Sequence, residues 1–536
     1  MPKLVSNLFV ILMVGSLIVA CANRGTPQGG PKDEKPPVIV KSEPENYAIN
    51  FKATEIKLYF DEYVKLKNLS KQLIISPPMN TMPEITPLSS ASKYITIKIF
   101  DTLQPNTTYA FNFGNSIVDN NEENAFPFYR YVFSTGSYID SLEVKGNVKD
   151  ALLLNTDTFV SVMLYEVDSA YTDSLVYKQL PKYITNTLDS TTTFTLSNLK
   201  AGKYKLIALK DQNQDNKYQQ KSDKIGFIEN YITVPQDTSY SLKLFTETPD
   251  FKAIRPKLLS GEKIAFGYEG DYRKTDIEIT SVVPDSFAYR ITKEKTTDTL
   301  LYWYKPRMAS DSLLFKVSHP SGYQDDFTVR ISEQKRDSLE VSATHSGTLH
   351  FEETFGIRAN VPFEQLDFSK LRAIDKDSLA IDVTSRLDTL NNIYFFDFEK
   401  SEENTYSFQL LPGAVTDFFG RQNDTLNYTL KTKSTADYGN VRVTLKNATY
   451  PVIVQLTDKN GEVKREQYST KPEPVDFTHV VPAKLFLRVI FDRNKNGRYD
   501  PGNYLLGIQP ERVSYDSEQL DIRAGWDEVR EFTLLE

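Results

Sequence analysis

The chain has 536 residues, with 63 Lys and Arg against 71 Asp and Glu, a formal net charge of −8 and only four histidines. Its length implies several domains, and its acidic balance excludes nucleic acid as a main partner, because phosphate binding requires a basic face. Tyr (31) and Phe (32) are abundant while Cys (1), Met (6) and Trp (2) are scarce, a usage that favours half-buried strands over helices.

Lys3 gives the first residues a positive charge, and residues 8–20 are apolar. That run is shorter than the roughly 20 residues of a membrane-spanning helix, so residues 1–20 are expected to be a secretory signal peptide. Ile18, Val19, Ala20 and Cys21 resemble a bacterial lipobox, in which the signal is cut before a cysteine that takes lipid on its sulfur. The resemblance implies a covalent lipid on Cys21. The plain alternative is an ordinary signal with a Cys near the cut; no second cysteine exists to form a disulfide. One acyl chain anchors marginally, so stable tethering takes at least two, which such lipoproteins carry. Ala22, standing where an inner-membrane retention signal would have Asp, resembles lipoproteins passed on to a Gram-negative outer membrane, and leaves open whether the protein faces the periplasm or the outside.

Residues 21–36 carry Gly25, Pro27, Gly29, Gly30, Pro31 and Pro36 among charges. Such a segment buries little apolar surface and is expected to be a flexible tether. From residue 37 onward, alternating apolar and polar residues dominate, as at 55–60, 94–100, 108–113, 204–209 and 485–491. Side chains alternate faces along a strand, so each run offers one face to a core and one to water. Turn residues recur between the runs and helix signals are nearly absent, which predicts an all-β chain of tandem β-sandwich modules. No later segment is apolar enough to span a membrane.

Residues 37–138 form the first expected module. Pro37, Ser42, Pro44 and Asn46, the strand ending at Phe60, Asp61, Glu62, Tyr63 and Val64, then Gln104, Pro105, Asn106 and Tyr109, closing on Phe133 to Gly136, resemble the bacterial Ig-like domain of the SbsA type. Tether and domain together are similar to outer-membrane lipoproteins of Bacteroidetes-type bacteria. Within this module residues 126–131 are aromatic, and Pro127, which cannot donate to a ladder, reads as an edge strand or as a patch for a partner.

An internal repeat emerges when distant stretches are aligned. Residues 106–113, then Val118 and Asp119, then 131–135 parallel residues 404–410, Val415 to Asp417, and 428–432. Each copy is followed by a strand that opens another unit, and each of those units later runs into an Asp/Asn-rich loop. The order is unit A (37–138), unit B (139–248), a β-rich middle domain (249–340), a second Ig-like unit A (341–435) and a second unit B (436–536). The B units resemble prealbumin-like sandwiches of the carboxypeptidase-regulatory or CnaB type, on Phe194, Leu196, Leu199, Gly202, Tyr204 and Leu206. The second copy lacks the glycine near Val480.

The two loops are the sharpest chemical candidates. Asp211, Asn213 and Asp215 alternate, as do Asp492, Asn494 and Asn496, with Gly497 sixth and Asp500 ninth. A hard cation such as calcium wants six to eight oxygens, and this spacing can fold three of them inward. Where a calcium loop places a bidentate Glu, these have Ser222 and Asn503, with Asp223 one residue later, and Asn216 replaces glycine. Two readings stand: weak calcium sites, or tight turns in which Asp and Asn cap their own backbone.

Catalytic signals are sparse. His345 and His350, placed in an expected strand that opens the second A unit, would point to opposite faces; His319 and His479 stand apart. Asp61 with Glu62 and Glu402 with Glu403 are adjacent acids, which a strand also turns apart. No nucleophile elbow, phosphate loop or dinucleotide fingerprint occurs. The expectation is a non-enzymatic outer-membrane lipoprotein that binds or scaffolds an envelope complex, with an outer-membrane β-barrel transporter or barrel-assembly machinery as partner class. The alternative is a surface lipoprotein that captures glycans.

Overall fold

The computed structural model describes residues 32–188 and 191–534. The expected signal peptide, Cys21 and most of the expected tether lie outside the described residues. Strands hold 47% of the chain and helices 3%, so the molecule is nearly all β, as the alternation predicts. Contacts divide it into two bodies, one of residues 32–142 with Asn198–Lys200, the other of residues 143–197 with 201–534.

In the first body, Glu55–Leu66 buries alternate residues from Ile56 to Phe60, because period-two patterning turns Ile56, Leu58 and Phe60 to one face. It sits between Ile39–Glu43 and Ser92–Lys98, with Glu84–Thr86 beyond and Ile117–Asp119 on its far half. The opposing sheet runs Ile74–Ser76, Thr108–Asn112, Arg130–Ser134. Ile56, Leu58, Ile95 and Ile97 from one sheet pack with Phe111 and Phe133 from the other. Residues 126–129 correct the sequence reading: they form a turn, and the strand begins at Arg130. Phe128 has a φ of 56°, Pro127 fits the turn, and Phe126 and Tyr129 fold inward against the core. The outer edge of Arg130–Ser134 is covered as well, since Tyr47 N–H donates to Val132 O at 2.7 Å and Ser134 N–H to Ala48 O at 2.9 Å.

In the larger body the two B units share one strand order. In the first, Leu142–Asp150 lies between Thr193–Leu199 and a parallel Ser239–Leu244, facing a sheet ordered Tyr183–Asn186, Ser161–Glu166, Gly202–Lys210, Lys224–Phe227, with Ile232–Val234 also on Gly202–Lys210. In the second, Gly439–Lys446 lies between Val475–Val480 and a parallel Asp527–Thr533, facing Val463–Ser469, Val452–Thr457, Ala483–Phe491, Val513–Tyr515, with Leu520–Ile522 on Ala483–Phe491. The middle segment is likewise two sheets, whose Phe266, Tyr302 and Phe315 pack together.

The second A region repeats the order of the first, with Phe355–Ala359 between Val341–Ala343 and Ile393–Asp397. Its long strand is broken, because Pro362 separates Phe355–Ala359 from Phe363–Leu366 and removes a ladder donor. Asp119 and Asp417, matched in the repeat, are both buried. Asp119 accepts the amides of Asn121, Glu122, Glu123 and Asn124, and Asp417 those of Phe419 and Arg421. Burial would raise the Asp119 carboxyl, but the four amides outweigh it and hold it below its ordinary value.

Residues 332–340 join the middle sandwich to the second A region without strand structure, and ion pairs fix them. Glu262, 1% exposed, receives Arg307 Nε and Arg336 Nε at 2.5 Å each. Arg336 also lies 4.4 Å over the Phe419 ring, Lys263 pairs with Asp337, and Arg421 donates to the Asp337 carbonyl. Trp303, Val361 and Phe418 are buried together beside them.

Burial would raise the Glu262 carboxyl, but the two guanidiniums dominate and hold it below its ordinary 4.5. A depressed acid contributes stability above its unfolded value and loses it as pH falls through the folded one. The junction is therefore expected to weaken only below about pH 4.5, and Glu262→Gln to cost about 2 kcal/mol at pH 7. Protection of the Glu340 amide, which donates to Asn360 Oδ1 at 2.9 Å, measured relative to the intrinsic exchange rate at pH 7 and at about pH 3, checks this. An unchanged exchange rate in the variant contradicts it.

Candidate functional site

The two Asp/Asn loops share three backbone-to-carboxylate bonds at matching steps. Strand Gly202–Lys210 pairs with Lys224–Phe227 through Lys210 and Lys224, which sets Asp211 opposite Asp223. Strand Ala483–Phe491 pairs with Val513–Tyr515 through Ile490 and Val513, and two steps further Asp492 faces Glu511. Asp211 Oδ2 accepts Asn216 N–H at 2.7 Å, and Asp492 Oδ2 accepts Gly497 N–H at 2.8 Å. Asp223 accepts the amides of Gln212 (3.1 Å) and Gln219 (2.8 Å); Glu511 accepts those of Arg493 (2.7 Å) and Asp500 (3.1 Å). Left-handed backbone recurs at Gln214 and Asn216 (φ 59° and 58°) and at Lys495 and Gly497 (φ 64° and 76°). Glycine suits that geometry and Asn is the next best choice, which explains the exchange at 216 and 497.

Glu511 is thus the carboxylate that the second loop seemed to lack. A fixed twelve-residue template misses it because the return to the strand is longer. It is buried, and burial with Asp500 and Asp492 nearby pushes its carboxyl up. Burial, together with Asp215 and Asp223, does the same to Asp211 against the pull of its amides. Asp492 goes the other way: its own burial is outweighed by the amides of Gly497 and Asn496 and the Tyr468 hydroxyl.

The remaining predicted ligands are turned to one another. Asn494 and Asn496 each donate to Asp500 Oδ2, at 2.5 and 2.6 Å, and Asp215 accepts from Gln219 at 3.0 Å. Asn213 donates its backbone N–H to Asp211 at 2.9 Å. Among the described residues no group of three or more His, Cys, Asp or Glu is arranged to hold a metal ion.

What separates the loops is length: residues 501–510 occupy the place of residues 220–222. The longer piece is a hairpin closed by Asn503 and Ile508, at 2.7 and 2.8 Å. Its Tyr504 enters the first B unit. The ring meets Phe227 edge-on at 5.3 Å, and the backbone N–H donates to Glu247 Oε1. Glu247, 3% exposed, takes its second bond from Gln220 Nε2 at 2.8 Å, so the two loops meet on one buried carboxylate. Gln509 Nε2 donates to Phe227 O at 3.0 Å. Gly502 lies so close that a Cβ there would come 2.6 Å from the Phe245 ring. Nearby, Leu152 O accepts Arg488 Nη1 at 3.2 Å and the Tyr515 hydroxyl at 3.0 Å. Leu505, Leu506 and Ile508 remain 54%, 71% and 49% exposed at the hairpin tip.

A cleft of about 560 Å³ lies beside the first loop, where Tyr177, Tyr218, Phe251 and Tyr323 line it with Lys221 and Glu269. Of the tryptophans, Trp303 is buried and Trp526 is exposed.

The histidines correct the sequence reading. His345 and His350 lie outside strands, with His345 Nε2 3.8 Å from Glu353 and His350 Nδ1 2.9 Å from the Tyr438 hydroxyl. His479 pairs with Glu352 at 3.2 Å, and His319 with Ser321 and the Arg273 carbonyl. Asp61 accepts the Val38 amide at 2.8 Å and Glu402 that of Thr435 at 3.0 Å, each serving its own backbone.

Residues 33–135 match the family of bacterial Ig-like domains. No curated protein matches the chain. Among solved structures, domains 1–6 of the surface layer protein SbsC are 11% identical, with 90% of this chain and 67% of that one covered and a TM-score of 0.16. A Bacteroides ovatus protein, SGBP-B of a mixed-linkage glucan utilization locus, solved with a heptasaccharide, is 10% identical over 83% and 99%, with a TM-score of 0.19. Scores this low carry no functional inference.

Tyr504→Ala is expected to remove about 3 kcal/mol of buried aromatic packing and to open residues 501–510 to limited proteolysis under conditions where the parent is uncut. Equal cleavage rates contradict the contact.

Proposed function

We propose that this protein is a lipid-anchored outer-membrane protein, held through Cys21, whose larger body is a pre-shaped binding or scaffold subunit for another envelope protein. The observation that carries the reading is the return of the second B unit onto the first, through Tyr504 and Glu247. A run of sandwiches on free linkers would have to be ordered by its partner, whereas a closed run presents its surfaces without that entropic cost. The closure also holds Leu505, Leu506 and Ile508 outward on a hairpin whose base is fixed, and exposed apolar groups on a rigid mount suit protein contact. The match of residues 33–135 to bacterial Ig-like domains supports a cell-envelope setting. An outer-membrane β-barrel protein is the partner class that the anchor brings within reach.

Glycan capture is the second reading, favoured by the aromatic cleft of Tyr177, Tyr218, Phe251 and Tyr323, since aromatic faces with nearby polar groups suit sugar rings.

Affinity purification from mildly solubilised outer membranes, read by quantitative mass spectrometry, separates them. A stoichiometric β-barrel protein, lost when Leu505 and Leu506 are both changed to Asp, is the expected result. Recovery of the chain alone, with a neutral oligosaccharide bound at the cleft, supports glycan capture instead.

Calcium in the two loops belongs to this proposal as a structural ion between facing carboxylates. Its affinity is expected at about 10⁻⁴ to 10⁻³ M, with a rise in Tm that Asp492→Asn and Asp211→Asn each reduce. No change in Tm between calcium and chelator leaves these carboxylates to their turns alone.

A further inference from the structure

A second cleft, of about 570 Å³, lies between the middle sandwich and the second A region. One wall is the end of strand Ala288–Lys293, whose Lys293 N–H donates to Leu390 O at 2.7 Å and so ties the two sides together. The other wall is Arg358, on strand Phe355–Ala359, with Asn391 beside it.

The charges here are unbalanced. Arg358 Nε is buried and meets no hydrogen-bond partner, and among the described residues its guanidinium pairs with no carboxylate. Lys293 Nζ donates to the carbonyls of Glu294 at 3.0 Å and Thr297 at 2.6 Å and lies over the Tyr268 and Tyr272 rings, but pairs with no carboxylate among the described residues. Lys295 lines the same cleft and makes no ion pair among the described residues. Lys263, the fourth cation, is taken up by Asp337. The one acid in the lining, Glu294, is tied to the amides and hydroxyls of Thr296 and Thr297 at 2.7 to 3.0 Å. Three cations therefore face a cleft containing a single, engaged carboxylate, in a chain whose net charge is −8.

Arg358 is half-buried, and its Nε, withdrawn from water with no partner, carries a desolvation cost that a bound anion would remove. Its planar fork matches the two oxygens of a carboxylate or phosphate, while flanking lysines add charge without fixing geometry. We propose that this cleft binds a small molecule through a carboxylate or phosphate group, held by Arg358 and flanked by Lys293 and Lys295. This site is separate from the Tyr504 junction and from the aromatic cleft.

The test is calorimetric titration of the full chain with trigalacturonate, with glucose 6-phosphate and with neutral maltotriose as reference. At least one anion is expected to bind where maltotriose does not, and the one that binds identifies the group as carboxylate or phosphate. Arg358→Met and Lys295→Met should each weaken that binding about tenfold, the size expected for one charged hydrogen bond. Lys295 is exposed and makes no ion pair among the described residues, so its variant stays informative if Arg358→Met folds poorly. Anions that bind no better than maltotriose, or binding that both variants leave unchanged, overturn the proposal.

Discussion

The arrangement of the larger body depends on one buried carboxylate. Glu247 is withdrawn from water, pairs with no cation among the described residues, and is satisfied by Gln220 from the first Asp/Asn loop and by the backbone N–H of Tyr504 from the second. A buried charge demands such bonds, because leaving either oxygen unpaired carries its full desolvation penalty. The segments between these residues are themselves folded, so the contact closes a run of rigid pieces rather than a random coil, and little chain entropy opposes it. Tyr504 against Phe227 then adds apolar burial to a polar clasp.

The repeat gives this clasp its logic. Both loops are built on an aspartate at the end of one strand facing a carboxylate at the start of the next, Asp211 with Asp223 and Asp492 with Glu511, and both use left-handed residues at the same two steps. One loop returns directly and supplies Gln220. The other carries ten residues in the place of three, 501–510 against 220–222, and its extra length reaches across. Two copies of one turn thereby serve as receptor and strap.

Much of this was legible in the sequence, and the limits have physical causes. Alternation between Glu55 and Phe60 gave the strand, and the repeat matched Asp119 with Asp417, while the burial and amide bonds of both are visible only in the fold. The Asp-x-Asn spacing located both loops. It could not find Glu511, because register across a hairpin, rather than a fixed count of residues, places it opposite Asp492. Glu247 and Tyr504 were invisible for a stronger reason: they meet only through tertiary packing, and neither lies in a periodic pattern. The aromatic run before Arg130 misled because burial of Phe126 and Tyr129 is as compatible with a turn around Pro127 as with a strand. Arg358 is likewise distant in sequence from Lys293 and Lys295, and the junction brings them together.

The exchange rate of the Tyr504 backbone amide tests the closure most directly, since this hydrogen is the one donated to Glu247. The hairpin around it is solvent-exposed at Leu505 and Leu506, so an unclasped loop would exchange at loop rates. The account predicts strong protection of Tyr504 in the intact chain, with Leu505 exchanging fast, and loss of that protection in Glu247→Ala. Fast exchange of Tyr504 in the unmodified protein would mean that the second B unit does not return to the first, and the pre-shaped body would fall with it.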